Sequence, residues 1–211
     1  MLNCLVELFD KSQQFQYISK SLREATSNTH ISILESAKPL FMGAIWKELY
    51  IPILIVTPRP DDARRLYDRL LAYWGESAPI YNFPEMDSLP FERLTPDTAT
   101  TQERLQALAA LADHKFNQHP PFVVTSASAI SLKTLSRSLF GIKDIYHILS
   151  VGDHVSIGEI LTQWTTMGYI LDRTTEVPGS MSRRGGILDI FPCGDDDPVR
   201  VEFSGDIVES M

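Results

Sequence analysis

Cysteine is nearly absent from this chain. Cys4 and Cys193 are the only two in 211 residues, too few and too far apart for a CxxC metal knuckle or a disulfide framework. No apolar run approaches the roughly 20 residues that a membrane-spanning helix needs, so no membrane partner is expected. The first ten residues lack the basic flank and small-residue cleavage site of a secretory signal, which points to a cytoplasmic protein. Basic residues are outnumbered, 19 Lys and Arg against 27 Asp and Glu for a formal charge of -8. That balance argues against gripping a nucleic-acid backbone by net charge, although a local basic patch could still meet an acidic partner. His30, His114, His119, His147 and His154 are scattered, none at ligand spacing from another or from a cysteine, and read as non-catalytic. Ser126, Ser128 and Ser131 lack a GxSxG elbow, so helix capping explains them better than nucleophilic chemistry.

What is present is an alternation of strand and helix patterns. A helix is expected over Gln13 to Ser27, a short strand over His30 to Leu34 and a second helix over Pro39 to Tyr50. The run Ile53-Leu54-Ile55-Val56 predicts a parallel strand buried on both faces. Asp61-Asp62 then open a helix with Ala63, Leu66, Leu70 and Trp74 on one face, closed by Gly75 as a left-handed cap. Pro79 to Phe83 gives a strand, and Pro84, Pro90 and Pro96 mark an ordered loop. Asp97 or Thr98 caps a helix through Leu105, Leu108, Leu111 and Ala112. Phe122 to Val124 is another buried strand, with Ser126 or Ser128 as the cap of a short helix after it. This order predicts a parallel three-layer α/β domain over 1–147.

Near Ile145 to Val151 the style changes. Ile157, Ile160, Leu161 and Trp164 have helical spacing, and alternating strands with Gly and Pro punctuation come next, so a smaller α+β domain is expected over 148–211. The chain stops at Met211 just after a strand and reads as a piece of something longer. The most informative stretch lies here: Arg183-Arg184-Gly185-Gly186-Ile187-Leu188-Asp189-Ile190-Phe191-Pro192, then Val199-Arg200-Val201-Glu202-Phe203-Ser204-Gly205-Asp206. Two arginines stand at the mouth of a strand that carries an aspartate in an otherwise apolar core. Period-two alternation puts Arg200 and Glu202 on one face of the next strand. Such a polar sheet face suits protein binding.

These residues resemble the small inserted domain of the UvrB-like proteins of bacterial nucleotide excision repair, and in order of elements nearly the whole chain resembles the amino-terminal UvrB-homology region of the transcription-repair coupling factors. The loop Phe83 to Arg93 resembles the coupling factors, because it lacks the longer aromatic β-hairpin with which UvrB clamps damaged DNA. The resemblance implies a helicase-like first domain of degenerate P-loop, RecA-like type and a second domain that docks UvrA. It makes Arg184, in the family's Arg-Gly position, the foremost UvrA contact, with Arg200 and Glu202 as the family's next charged pair. Arg183 and Arg173 match no family position and are added as neighbours near enough to compensate, since Pro178 and Ser182 stand where UvrB has further arginines. The competing reading makes Arg184, Asp189, Arg200 and Glu202 ordinary cross-strand ion pairs on a solvated face, each worth less than about 1 kcal/mol.

A P-loop has the form GxxxxGK[ST], in which glycine amides cradle phosphates, lysine reaches the terminal groups and the hydroxyl holds Mg²⁺. At that place this chain has Glu35-Ser36-Ala37-Lys38-Pro39-Leu40, with no glycine and proline in place of the hydroxyl. No apolar strand ends in Asp-Glu, and Asp195-Asp196-Asp197 between Gly194 and Pro198 reads as an exposed turn rather than a metal site. No catalytic residue, metal or cofactor is therefore assigned. By the same resemblance, ATP, Mg²⁺, RNA polymerase and double-stranded DNA are expected to engage other segments of the full-length protein. The rival expectation is a fragment of a UvrB-type ATP-dependent helicase or excision subunit that binds DNA.

Overall fold

Short apolar segments flanked by turn residues form the first sheet: Ile53–Thr57 (β1), Ile80–Phe83 (β2) and Phe122–Ser126 (β3), all parallel and in the order β1-β3-β2. The structure is a computed structural model and describes residues 9, 12–24, 28–86, 98–112, 119–135, 147–195 and 197–211. The fold is α/β, with this parallel sheet and a second, mixed sheet. Two compact units emerge, the described residues within Met1–Leu89 and Asp113–Lys133 forming one, and those within Pro90–Ala112 and Thr134–Met211 the other. Sequence patterning drew one boundary between 147 and 148. In spatial grouping the helix Thr98–Ala112 falls with the second unit.

In the first unit, helices Gln13–Glu24 (α1), Lys38–Leu49 (α2) and Pro60–Trp74 (α3) accompany the sheet. Pro60 opens α3 at a position where its missing N–H costs nothing. Trp46, Ala63, Leu70, Ile80, Phe122 and Val124 form one core between helices and sheet. The indole of Trp46 meets the rings of Trp74 and Phe122 edge-on at 5.9 and 5.8 Å, and its N–H donates to the Pro120 carbonyl at 2.9 Å. Phe15, Phe41, Ala44 and Ile45 make a second cluster where α1 meets α2.

Three expectations for this unit need correction. His30 to Leu34 is not a strand; it runs without regular structure into a 3-10 turn at Glu35–Ala37, and Leu34 is exposed. Propensity alone cannot hold a strand that has no neighbour to pair with. β1 is not buried on both faces, since Leu54 and Val56 are 52% and 43% exposed. Among the described strands it lies at the sheet edge, and only the central β3 is buried throughout. Gly75 ends α3 with φ 88° and ψ 158°, a positive φ but not the left-handed helical cap expected. Ser126 caps the short helix Ala127–Ser131 (α5) as expected, its Oγ accepting the Ala129 N–H at 3.2 Å. The loop prolines Pro90 and Pro96 lie outside the described residues.

The second unit contains Thr98–Ala112 (α4), which buries Arg104, Ala107 and Ala110 rather than the expected leucines. It also contains the helix Ile157–Thr166 (α6), and its sheet runs Ile170–Leu171 (β4), Ser180–Arg184 (β5), Ile187–Ile190 (β6), Val199–Ser204 (β7) and Ile207–Ser210 (β8) in chain order. Ser156 caps α6 through its Oγ, which accepts the Glu159 N–H at 3.2 Å. Ile160 and Trp164 from this helix pack with Met181, Leu188, Ile190, Val201, Phe203 and Val208 from one face of the sheet. Cys193 is half-buried, and burial pushes its thiol above the ordinary value, which suits a structural role rather than a reactive one. No described helix is long and apolar enough to cross a membrane.

The Trp164 N–H donates to His147 Nδ1 at 3.0 Å, so this contact requires a neutral imidazole with Nδ1 unprotonated. Burial depresses the His147 pKa, with Asp153 partly opposing. A depressed histidine pKa means that the unfolded chain takes up the proton first. The contribution of His147 is therefore complete above about pH 6.5, its unfolded value, and declines as pH falls below it. The variant His147→Gln, which keeps an acceptor without titrating, is expected to lose less stability than the wild type between pH 7.5 and 5.5. Parallel urea midpoints for the two proteins would refute this.

Candidate interaction surface

Antiparallel register decides which charges share a face. Arg184 on β5 lies opposite Ile187 on β6, Ile187 opposite Glu202 on β7, and Glu202 opposite Ser210 on β8. The adjoining row is Ser182, Asp189 and Arg200. Both rows lie on the side of the sheet away from Leu188, Val201 and Val208, which are at most 2% exposed. Arg184, Arg200 and Glu202 thus come together on one open face. Arg183 does not join them: it pairs with Leu188 and so points to the opposite side, at the rim, where its Nε–H donates to the Gly185 carbonyl at 3.1 Å. Arg173 lies beyond the end of β4, exposed, with its backbone N–H bonded to the Asp172 carboxylate.

Asp189 is not in the apolar core as expected. It stands on the open face, where Arg200 donates Nε–H and Nη2–H to its two oxygens at 2.7 and 3.0 Å. The Arg200 hydrogen bond holds the Asp189 carboxyl below the usual carboxylate range against a desolvation penalty, and the charge of Arg184 adds to the effect. In return, the same bond raises the Arg200 pKa. The ordinary ion-pair reading therefore holds for Asp189 and Arg200. It does not hold for Arg184, which makes no hydrogen bond or ion pair with any described residue. Glu202 accepts from the Ser210 hydroxyl at 2.9 Å.

Ile187 was missed as a member of this face, and Asp189 was placed on it only by the competing reading, although period two within β6 already separates both from Leu188 and Ile190. The β5–β6 hairpin turns on Gly185, at φ 63°, and on Gly186, where an added Cβ would sit 3.0 Å from the Phe203 carbonyl oxygen. The two glycines let Arg184 and Ile187 face each other across a short turn.

In the first unit, Glu35 to Leu40 comprises a 3-10 turn and the start of α2. Lys38 is bonded to Glu35 at 2.5 Å, and Pro39 is buried within the first turn of α2. An open pocket of about 580 Å³ beside it is lined by Arg59, Asp62, Arg65 and Arg69 among others. Asp62 already accepts from both Arg59 and Arg65, at 3.0 and 2.7 Å. Among the described residues no group of three or more His, Cys, Asp or Glu could hold a metal ion.

Residues 148–211 match the family model of the UvrB interaction domain. Over 208 residues, 98% of the chain, the sequence is 30% identical to the transcription-repair-coupling factor of Mycobacterium tuberculosis (strain CDC 1551 / Oshkosh), of which it covers 16%. It is 25% identical over 202 residues to the transcription-repair-coupling factor of Bacillus subtilis (strain 168), covering 95% of the chain and 17% of that protein. The UvrABC system protein B of Fervidobacterium nodosum is 24% identical over 196 residues, covering 87% of the chain and 28% of that protein. The chain thus spans about one sixth of the length of these two coupling factors.

Proposed function

We propose that this chain, which carries a UvrB interaction domain within the UvrB-homology region of the transcription-repair coupling factors, is a non-catalytic docking module that recruits UvrA to stalled RNA polymerase in nucleotide excision repair. The observation that carries the proposal is the charged open face of the second sheet, where Arg184 stands exposed beside Arg200 and Glu202, with no hydrogen bond or ion pair to any described residue. An arginine fork pairs with a partner carboxylate at two points, and centrally placed arginines are frequent hot spots. Arg184, Arg200 and Glu202 are the contact set; Arg183 and Arg173 are peripheral to it.

The first unit is a helicase-like domain of degenerate RecA type that does not hold nucleotide. The Glu35–Lys38 pair and the absence of glycine support this, because a phosphate would meet a carboxylate there in place of a glycine loop. Translocation with ATP and Mg²⁺, and contact with RNA polymerase and double-stranded DNA, belong to other segments of the full-length cytoplasmic protein. The rival reading is a UvrB-type ATPase fragment.

Calorimetric titration of the 211-residue chain with UvrA from the same organism tests the reading. Saturable one-site binding is expected, with no rise in thermal midpoint when Mg-ATP is added. A flat titration would sink the docking role, and stabilisation by Mg-ATP would favour the rival.

A further inference from the structure

One arginine of the docking face is already engaged before any partner arrives. Arg200 gives Asp189 its Nε–H and one Nη2–H, which together form the side edge of the guanidinium. The end edge, formed by Nη1 and the second Nη2 hydrogen, is another fork with the same spacing. We infer that Asp189 is a positioning residue for docking: it clamps Arg200 by the side edge so that the end edge is presented, already oriented, to a carboxylate of the partner. The inference rests on the UvrA-docking reading.

The geometry supports this division of labour. Asp189 and Arg200 are direct partners in the β6–β7 register, so the clamp spans adjacent strands and is fixed by the sheet. The Asp189 side chain is 17% exposed and that of Arg200 58%, so the arginine reaches the partner while the aspartate stays beneath it. Arginine normally loses much rotamer freedom on binding, and a clamp made within the free protein removes that cost in advance. Arg184 offers a second cation on the same face, with Ile187 and Asp189 on the strand between it and β7. The partner patch that fits has two acidic groups flanking an apolar contact.

The opposite role for Asp189 is also physically sound: its negative charge could repel the incoming carboxylate, in which case neutralising it would strengthen binding. Calorimetric titration of UvrA with wild type, Asp189→Asn, Arg200→Ala and the double variant separates the two. Asp189→Asn is expected to weaken binding about tenfold in the wild-type background and to add nothing in the Arg200→Ala background, with an unchanged thermal midpoint. Unchanged or tighter binding by Asp189→Asn overturns the inference. So does an equal loss in both backgrounds, which would make the residue structural or a direct contact. If the wild type itself does not bind UvrA, the docking reading falls and the inference falls with it.

Discussion

Replacing Arg184 with alanine is expected to weaken UvrA binding by about 2 kcal/mol, some thirtyfold in Kd, while leaving the fold intact. The side chain is exposed and makes no hydrogen bond or ion pair with any described residue, so its removal leaves no buried group unsatisfied. The loss therefore reports on the complex alone. Arg183→Ala is the natural control, because that neighbour lies on the other side of the sheet with Leu188, and it should change affinity by less than about 0.5 kcal/mol. Calorimetry on both variants checks the contrast, and most of the Arg184 effect should appear in the dissociation rate. A change below about threefold for Arg184→Ala would remove it from the interface.

The largest effect on stability is expected at Gly43→Val. Gly43 lies within α2 with the Trp74 indole packed over it, and an added Cβ would sit 2.0 Å from Nε1, 2.3 Å from Cε2 and 2.5 Å from Cζ2. No real contact is that short, so the indole must leave its place. Two effects oppose the damage. Valine is a better helix residue than glycine by a few tenths of a kcal/mol. The Trp74 N–H, buried without an acceptor among the described residues, could reach water once displaced. Against them stands the loss of Trp74 from its packing with Trp46 and with the two clusters that α2 and α3 share. Overpacking of this kind costs about 3 kcal/mol, which wins. Chemical denaturation followed by tryptophan fluorescence gives the comparison. A loss under about 1 kcal/mol would mean that the α2–α3 contact yields easily.

The parts of the fold that were legible in the sequence are those where one periodicity dominates. α3 and α6 follow from apolar residues at helical spacing, and β7 from strict alternation. The failures have a common cause, which is that burial depends on what lies beside a segment. Leu54 and Val56 have the composition of core residues, yet their side of β1 is left exposed, and nothing within Ile53–Thr57 says what will cover each face. His30 to Leu34 fails for the same reason. The charged surface was legible as a set of residues but not as an arrangement. Treating Arg183 and Arg184 as a pair ignored the alternation that sends them to opposite faces, and placing Asp189 among its apolar neighbours overlooked that it shares a parity with Ile187. The bond between Asp189 and Arg200 depends on inter-strand register, which the β6–β7 connection sets and neither strand encodes alone.

The Gly185-Gly186 turn carries a consequence beyond closing a hairpin. Strands alternate with a period of two, so the length of the connection fixes which half of β6 is offered to the outside. One extra residue between Gly186 and Ile187, if taken up by the strand and not by the turn, would send Leu188 and Ile190 to the open face and drive Asp189 into the apolar layer, with Arg200 left unclamped. The proposed docking surface is thus written twice, once in the identity of its side chains and once in a residue count. A substitution can erode the first a little at a time, whereas an insertion or deletion inverts the second in one step.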